Sequence, residues 1–433
     1  MAKRQKFQTP TGIHDILPKD QPYYQKIYKV TDEVAQFYGF GKLDTPVIEE
    51  TALFEKGTGG TTDIVQKEMF NLKTKGGDAL TLRPEFTPGL VRAYNQHGMH
   101  ALPQPVKVYT YGPVFRYEHP QAGRFRQFNQ LDLEVFGEES AAIDAQVIQL
   151  FYIILKELKF SHLIIEVNST GDSQCRPYYK KVLVNYLRGH QASLCADCKR
   201  RTKENPLRVL DCKQEKCQRV RSQAPQILDH LCDPCKEHFK SLLEFLDAAD
   251  LPYHLDPYLV RGLDYYTKTV FEIFSEKGME TEEGETIIRN ALVGGGRYDA
   301  LIRLLGGKDI PATGAAAGVE RIVELMKDLG LPGLEPTEPK IFLAQLGDLP
   351  KKKSLKLLEE LRKAKIPVAE SLGRDSLRAQ LARADKLEVL YTLIFGQKEV
   401  LDEIIVIRKM DTGEQTTVKL DKVTEEIKKR LKK

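Results

Sequence analysis

Charged side chains are concentrated in residues 112–137, and their spacing suggests ligand binding. Four of them surround a loop that contains proline and glycine: Arg116, Glu118, Arg124 and Arg126. The run after this loop alternates polar Gln130, Asp132 and Glu134 with apolar Leu131, Leu133 and Val135. Alternation with a period of two residues places the two sets on opposite faces of a strand. An acidic face beside an arginine-rimmed loop suits a ligand that is cationic at one end and phosphorylated at the other.

The chain has no glycine-rich phosphate loop, because neither residues 57–60 nor residues 294–296 match GxxxxGK[ST] or GxGxxG. If the chain binds a nucleotide, arginines must hold the phosphates, since a guanidinium can bind two phosphate oxygens at once. Arg116 directly follows an apolar strand, and Arg321 opens a helix after the small-residue run 314–318. A single arginine is more often a solvated surface charge, but these two positions favour a ligand role.

Hydrophobic spacing and turn residues predict the elements that position these side chains. Residues 112–137 are expected to form an antiparallel hairpin with a long loop. Pro46 suits an edge or interface strand. Further strands are predicted at 42–49, 66–72, 79–83, 162–167, 258–260, 269–274 and 286–293, and helices at 21–38 and 142–158. Beyond residue 340, alternating strands and helices predict a mostly parallel sheet.

Length and composition are those of a globular protein with more than one domain. The chain has 433 residues, of which 41% are hydrophobic and 29% are charged. No apolar run is long enough to span a membrane, and the basic start MAKRQKF lacks the apolar stretch of a signal peptide. We therefore expect a cytoplasmic protein with no membrane partner, whose 7 cysteines are reduced or metal-bound. The net charge of +4 permits a nucleic-acid partner without arguing for one.

Residues 171–254 form a charged, helical stretch that holds all the cysteines. Six of them occur as three pairs: Cys195 and Cys198, Cys212 and Cys217, Cys232 and Cys235. A CxxC pair presents two thiolates to one metal ion, and two pairs complete a tetrahedral, structural zinc site. The first and third pairs are the first choice of ligands, with the second pair as alternates. The alternative is six reduced, unconnected thiols. Cys175 is expected to be a buried apolar residue.

Several stretches of the chain resemble, in order and spacing, the motifs of one family. They are Pro46 in its strand, LRPEFTP at 82–88, Phe115-Arg116-x-Glu118, LVRGLDYYTKTVFE at 259–272, GGGRYDAL at 294–301 and Gly314-x-x-x-Gly318-x-Glu320-Arg321. The first, third and last look like motifs 1, 2 and 3 of class II aminoacyl-tRNA synthetases. The stretches at 259–272 and 294–301 resemble the two signatures specific to histidyl-tRNA synthetases, and the resemblance covers about the entire chain.

This resemblance implies an α+β protein that joins L-histidine to tRNA(His) with ATP. It implies a class II antiparallel-sheet catalytic domain in residues 1–170 and 255–330, interrupted by an inserted helical, cysteine-rich subdomain in residues 171–254. A linker at 331–339 would then lead to an α/β anticodon-binding domain in residues 340–433. It also implies a homodimer that forms through the motif 1 region.

The resemblance also implies roles for single residues. ATP, with Mg²⁺, is implied to be bound by Arg116, Glu118, Arg124, Phe128 and Arg321. The implied catalytic cations at the α-phosphorus are Arg261 and Arg116. Histidine is implied to be bound by Glu85, Thr87, Gln130, Glu134, Arg261, Tyr265 and Tyr266. Within that set, Glu134 and Tyr266 resemble the groups that bind the imidazole, whereas Glu85, Thr87 and Gln130 suit the ammonium and carboxylate.

The chain departs from the family pattern at two positions. Asn129 stands where several relatives have histidine, and we expect it to be structural. His119 stands where arginine is frequent, in the loop with Gln121 through which the family meets the acceptor end of its tRNA. We therefore expect His119 and Gln121 to contact tRNA, although the nature of the His119 contact is left open.

Two other functions are compatible with parts of this sequence. A non-catalytic paralogue, the regulatory subunit of ATP phosphoribosyltransferase, shares the catalytic fold but lacks the C-terminal module and intact histidine signatures. This chain retains both, which argues against that alternative. A free RNA-binding module would leave the acidic pocket unexplained.

Overall fold

The structure is a computed structural model that describes residues 7–118, 123–275, 291–335, 338–373 and 376–432. The chain forms two compact units, Met1–Leu334 and Glu335–Lys433. Their boundary falls within the stretch predicted to be a linker. The predicted α+β class is confirmed, because the first unit is built on a largely antiparallel sheet and the second on a smaller sheet with helices.

The first unit begins with helices and short strands and then enters the central hairpin. Its elements up to the insertion are α1 (Gln21–Phe37), β1 (Gly41–Lys42), β2 (Ile48–Glu50), α2 (Thr51–Gly57), β3 (Phe70–Lys73), β4 (Ala79–Leu82), α3 (Thr87–Gln96), β5 (Val106–Phe115), β6 (Gln127–Phe136), α4 (Ala141–Glu157) and β7 (Leu163–Ser169). The insertion contains α5 (Arg176–Gly189), α6 (Ala196–Glu204), α7 (Glu215–Arg221) and α8 (Asp233–Ala248). The unit ends with β8 (Tyr253–Leu255), β9 (Thr267–Ser275), β10 (Ala291–Arg297), α9 (Leu301–Leu304), β11 (Ala312–Gly318) and α10 (Val319–Asp328).

The large sheet has the order β1-β5-β6-β11-β10-β9-β7-β8, and only the outermost pairs, β1 with β5 and β7 with β8, are parallel. The hairpin of β5 and β6 is in register from Val106 opposite Phe136 to Phe115 opposite Gln127. The apolar side chains of β6 pack with α1, α4 and α10 into one core. Its polar side chains lie on the opposite face, as the alternation predicted, and there they are covered and buried.

Three of the strand predictions are wrong in part or in full. Of the predicted strand 66–72, residues 66–68 belong to the π-helix Ile64–Glu68, and the strand itself is Phe70–Lys73. Residues 42–49 do not form one strand: β1 pairs with β5 in the large sheet, whereas β2 pairs with β4 in a separate three-stranded sheet. Pro46 lies between them, where its missing N–H cannot interrupt a ladder. Residues 258–260 are not a strand; the chain pairs with β7 earlier, through β8. The start of the predicted strand 286–293 and the polar loop before it lie outside the described residues.

The insertion has its own apolar core, which contains four of the cysteines and the inward faces of its helices. Its last helix, α8, returns to pack against α4 beneath the large sheet. The insertion is therefore continuous with the first unit and packs directly on its large sheet.

The second unit contains β12 (Ile341–Gln345), α11 (Asp348–Lys363), β13 (Val368–Glu370), α12 (Leu377–Lys386), β14 (Tyr391–Phe395), α13 (Gln397–Leu401), β15 (Ile404–Lys409), β16 (Gln415–Lys419) and α14 (Val423–Leu431). Its sheet has the order β13-β12-β14-β15-β16. The pairs among β13, β12 and β14 are parallel, but β15 and β16 join antiparallel. The sheet is therefore mixed, not mostly parallel. The connection from β14 to β15 contains only the five-residue helix α13, and β16 follows β15 after a short turn, so both connections are too short for a parallel crossover.

Candidate active site

One cavity on the polar face of the large sheet collects the predicted ligand residues of both substrates. The predicted residues that line it are Glu85, Thr87, Arg116, Glu118, Arg124, Phe128, Gln130, Glu134, Arg261, Tyr265, Tyr266 and Arg321. They come from the hairpin, from the start of α3, from the segment before β9 and from α10. The two predicted tRNA contacts, His119 and Gln121, lie outside the described residues.

One end of the cavity is strongly cationic. Burial lowers the pKa of Arg321, and the positive charges of Arg124, Arg116 and Arg261 lower it further. Arg321 is held by two backbone carbonyls: its Nε donates to Gly123 O at 3.2 Å and its Nη1 to Ala291 O at 3.1 Å. Four guanidinium groups share this partly buried space, and although Arg124 and Arg261 have acidic partners, the concentration of positive charge favours an anionic ligand.

The arginine of the hairpin is fixed beside an aromatic ring. Arg116 Nε donates to Pro84 O at 2.9 Å, and its guanidinium carbon lies 5.4 Å from the centre of the Phe128 ring. Arg124 donates to Glu118 Oε2 at 3.2 Å across the loop of the hairpin. These contacts fix the orientation of Arg116 and Arg124 and place Arg116 near the ring of Phe128, on which a nucleotide base can stack.

Arg261 is paired with an acid that the sequence did not single out. Its Nη1 donates to Glu272 on β9, while its Nε is buried with no hydrogen-bond partner among the described residues. The guanidinium lies against Gly294, where any Cβ would overlap it. Gly294, the first glycine of GGGRYD, thus makes room for Arg261.

The other end of the cavity holds buried carboxyl groups. Glu85 accepts hydrogen bonds from Thr58 Oγ1 at 2.6 Å and from Tyr265 OH at 2.9 Å. Glu134 accepts from Thr87 Oγ1 at 2.7 Å and from the hydroxyl of Tyr298. Thr87 and Tyr265 therefore orient the two acids through their hydroxyl groups as well as lining the cavity.

Tyr298 and Asp132 complete this acidic end, although neither was among the predicted ligands. Tyr298 follows the GGGR run and is buried, and a glycine at position 314 leaves room for the Glu134 carboxyl. Asp132 Oδ1 and Gln130 Oε1 are buried without a hydrogen-bond partner in the part of the chain that the structure describes. Buried polar oxygens without partners point to a ligand that supplies donors. The alternation along β6 already placed Asp132 on this face, whereas no local pattern marked Tyr298.

Burial raises the pKa of each acid in this group. The pKa of Glu134 rises to about 8, and the charge of Glu85 adds to the effect of burial. The pKa of Glu85 is raised by burial, and that of Asp132 is raised well above its ordinary value by burial and by Glu134. A cationic ligand stabilises the ionised forms, so these carboxyl groups are suited to bind an ammonium group and a ring N–H.

Asn129 connects the hairpin to α10. Its backbone N–H and its Nδ2 each donate to Glu320, both over 2.7 Å. Burial raises the pKa of Glu320 to about 7. Asn129 was expected to be structural, and these bonds hold the helix that carries Arg321 against the strand that carries Phe128.

The cysteines form two clusters, and the first choice of zinc ligands is wrong. Cys195 and Cys198 lie with Cys212 and Cys217, whereas Cys232 and Cys235 lie with Asp172 and Cys175. The ligand atoms within each cluster are all within 4.8 Å of one another. The alternates thus complete the first site, because the turn that precedes α7 brings the second pair back to α6. Cys175 is buried as expected, but it belongs to a polar cluster and is not only an apolar core residue.

The sheet, the arginine-bearing hairpin and the strand of small residues that leads into α10 together define the first unit as the catalytic domain of a class II aminoacyl-tRNA synthetase. Comparisons with known proteins narrow this class. Residues 12–322 match the family described as Histidyl-tRNA synthetase, and residues 342–430 match the family described as Anticodon binding domain. The chain belongs to the histidyl-tRNA synthetase family.

Two histidine–tRNA ligases are similar in sequence to this chain over nearly its whole length. The histidine–tRNA ligase of Dehalococcoides mccartyi is 42% identical over 98% of this chain and 100% of its own length. That of Aquifex aeolicus is 44% identical over 96% of this chain and 99% of its own. The crystal structure of the apo histidyl-tRNA synthetase of S. aureus matches with a TM-score of 0.79 at 33% identity, covering 98% of this chain and 100% of that one. The predicted family and the prediction of an aminoacyl-tRNA ligase are confirmed.

A second solved structure bears on the alternative function. A Bacillus halodurans protein described as an ATP phosphoribosyltransferase regulatory subunit/histidyl-tRNA synthetase matches with a TM-score of 0.62 at 19% identity. That likeness concerns the fold alone. The more similar relatives are all histidine–tRNA ligases, so the regulatory alternative is less supported. Among the described residues, no helix has the length and apolar character needed to cross a membrane.

Proposed function

We propose that this chain activates L-histidine with ATP and transfers the histidyl group to the 3′ end of tRNA(His). The main support is that one cavity has a buried acidic end and an end with four arginines. Histidine presents an ammonium and an imidazole to the first, and ATP presents its phosphates to the second. The carboxylate of histidine then meets the α-phosphorus between the two ends.

In the first step, a carboxylate oxygen of histidine attacks the α-phosphorus of ATP. A new P–O bond forms, the bond to the bridging oxygen of the β-phosphate breaks, and pyrophosphate leaves with the bonding electrons. Negative charge accumulates on the phosphorus oxygens in the transition state. Arg261 and Arg116 are assigned to stabilise that charge, because both are held in place before the substrates bind.

ATP is assigned to the cationic end of the cavity. Arg321 and Arg124 would hold the outer phosphates, and Phe128, whose ring already lies beside Arg116, would stack on adenine. The Mg²⁺ ion that accompanies ATP prefers carboxylate and phosphate oxygens. Glu118 and Glu272 line the same region and offer such oxygens. The ion would neutralise phosphate charge when it is bound.

Histidine is assigned to the acidic end. Glu134 and Tyr266 would bind the two nitrogens of the imidazole, with Tyr298 and Thr87 holding the carboxyl group of Glu134. Glu85, Gln130 and the unpartnered Asp132 would bind the ammonium group. A side chain that cannot pair with both imidazole-binding groups would leave buried polar atoms unsatisfied, and this excludes other amino acids.

The second substrate is tRNA, whose terminal hydroxyl attacks the carbonyl carbon of the adenylate and displaces AMP. We assign the hairpin loop with His119 and Gln121 to the acceptor end and the second unit to the anticodon, on the basis of the family matches. A chain with this role works in the cytoplasm.

We also propose a homodimer that forms through the motif 1 region. Val47 and Ile48, beside Pro46, are 37% and 45% exposed there.

The first cysteine cluster is proposed to hold a structural Zn²⁺ ion. Cys195 Sγ lies 3.9 Å from Cys212 Sγ, close to the edge of about 3.8 Å that Zn–S bonds of about 2.3 Å give to a tetrahedron. Backbone N–H groups of Cys195 and Cys198 donate to thiols of the cluster. The chain between the two pairs carries Arg201 and Arg208, which both bind Asp63. The ion would thus hold the insertion against the catalytic domain.

Histidine-dependent exchange of pyrophosphate into ATP tests this function on the purified full chain, with Arg261→Ala beside it. We expect exchange with L-histidine, no exchange with phenylalanine, and a loss of at least about 10²-fold in Arg261→Ala. Lack of exchange by the intact protein would contradict the enzyme function. Undiminished exchange in Arg261→Ala would leave the function standing and remove Arg261 from the catalytic role.

A further inference from the structure

The second cysteine cluster lies where the insertion joins the large sheet. Asp172 and Cys175 occupy the turn between β7 and α5, and Cys232 and Cys235 occupy the first turn of α8. These positions form a DxxC and a CxxC pair that are far apart in sequence and meet in space. The pairs come from the segments that enter and leave the insertion, so a link between them would close its base.

The distances between the ligand atoms fit one tetrahedral ion. Asp172 Oδ1 lies 3.5 Å from Cys175 Sγ and 3.7 Å from Cys232 Sγ. A tetrahedron with Zn–S bonds of about 2.3 Å and a Zn–O bond of about 2.1 Å has S–O edges of about 3.6 Å. All four ligand atoms lie within 4.8 Å of one another, and Cys175 and Cys235 are buried. Each residue can therefore supply one ligand without a change of fold.

Local features keep space for these groups. A Cβ at position 171 would lie 2.6 Å from Cys175 Sγ, so only glycine leaves that sulfur its place. Three thiolates and one carboxylate form a ligand set that suits zinc. We propose that Asp172, Cys175, Cys232 and Cys235 bind a second zinc ion, distinct from the one assigned to the first cysteine cluster.

This second ion is connected to the histidine end of the cavity through Arg176. Arg176 directly follows Cys175 and donates to Tyr266 O at 2.5 Å, and also to the carbonyls of Thr170 at 2.9 Å and Gly171 at 2.8 Å. Tyr266 is the residue assigned to the imidazole. The ion is thus a structural element that positions Arg176 and, through it, the segment of Tyr266.

Metal content by mass spectrometry of the purified full chain tests the proposal without relying on the reaction. With zinc as the only metal supplied and no chelator, we expect two zinc ions per chain. The double variant Cys232→Ser/Cys235→Ser should retain one, the zinc of the first cluster. One zinc ion in the intact protein, unchanged in this variant, would overturn the proposal, as would a mass 2 Da lower that reveals a disulfide in place of the metal.

Asp172 allows a sharper test because it also accepts hydrogen bonds from Gln174 N and Cys175 N at the start of α5. Asparagine can accept the same backbone hydrogen bonds in a turn but lacks the anionic oxygen. Asp172→Asn should therefore keep the fold and bind the second zinc at least about tenfold more weakly, as loss of even an outer partner does. Unchanged zinc affinity would reduce Asp172 to a residue that stabilises the turn before α5 and would overturn the four-ligand site.

If the double variant does not fold, the intact protein loaded with ¹¹³Cd provides the same distinction. Two resonances are expected, one from a site with four sulfurs and one shifted toward the range of sites with three sulfurs and an oxygen. A single resonance would contradict the second site.

Discussion

Asn205 of the insertion donates a hydrogen bond to Asp264 of the catalytic domain, Nδ2 to Oδ1, over 2.7 Å. Thr61 donates to the other oxygen of Asp264, also over 2.7 Å. Asp264 directly precedes Tyr265 and Tyr266, so the insertion contacts the segment assigned to histidine. This contact gives the insertion a physical means of influencing the active site.

Removal of this contact should weaken histidine binding and spare ATP binding. Asn205→Ala loses a hydrogen bond to a charged group, and we expect KM for histidine to rise about tenfold. Pyrophosphate exchange at varied histidine and at varied ATP measures the two constants separately. Arg200→Ala is the matched control, because Arg200 pairs only with acids of its own helix on the exposed face. An equal rise of both constants would contradict the assignment.

Histidine affinity should increase with pH below pH 8. The Glu134 carboxyl group, with a pKa of about 8, is mainly protonated at pH 7 and must lose its proton to accept a hydrogen bond from the ligand. Its ionised fraction rises about fivefold between pH 7 and pH 8, and the association constant should rise by the same factor. Isothermal titration calorimetry measures this constant and the protons released. Glu134→Gln should bind weakly and lose this part of the pH dependence; the same slope in the variant would exclude Glu134 as its origin.

Arg321→Lys should impair ATP use although it keeps the charge. The guanidinium of Arg321 donates to two backbone carbonyls through Nε and Nη1. The single ammonium group of lysine cannot make these two directed hydrogen bonds. We expect kcat/KM for ATP to fall about 10²-fold in the exchange assay. Arg303→Lys is the control, because Arg303 pairs with Asp309 on the surface. Near-normal activity of Arg321→Lys would show that only charge matters at this position.

Asp144→Ala should destabilise the first unit strongly. Arg297 is completely buried, and Asp144 binds it at 2.7 Å and also accepts hydrogen bonds from His238 and Thr269. Loss of the acid removes the fully buried partner of Arg297 and leaves its guanidinium with the partly exposed Asp299 at 3.1 Å, at a cost of about 3–5 kcal/mol in the free energy of unfolding. Urea unfolding measures this. Asp309→Ala, which breaks an exposed pair, should cost less than about 1 kcal/mol. Similar costs for both variants would be inconsistent with the buried pair.

The grouping of the cysteines can be tested by paired substitutions. Cys195→Ser with Cys217→Ser should remove one zinc ion, because both residues belong to one cluster. Cys195→Ser with Cys235→Ser should remove both ions, because it disables both clusters. Zinc analysis of the two purified variants distinguishes the cases. If the intact protein holds two ions and the second variant loses only one, the result would indicate that the first and third cysteine pairs bind one ion together.

The alternation along β6 was predictable because strand geometry is local. Gln130, Asp132 and Glu134 had to share a face once the segment was extended, and the structure buries all three at the cavity. The partners of these acids were harder to predict. Tyr298 reaches Glu134 across 164 residues of sequence, and Tyr265 reaches Glu85 across 180. Such contacts depend on strand order in the sheet, for which no single segment carries a signal.

The cysteine pairs show the same contrast between features set by local sequence and features set by long-range packing. The sequence by itself determined that CxxC spacing presents two thiols together, since that spacing depends only on the local turn at a helix start. Only the tertiary structure decided which pairs meet, because the packing of α5 to α8 sets the distances between them. It brought Cys212 and Cys217 to the first pair and Asp172 and Cys175 to the third. The residue types of the active site were thus encoded locally, whereas their assembly into an acidic end and a cationic end depends on contacts between distant strands and helices.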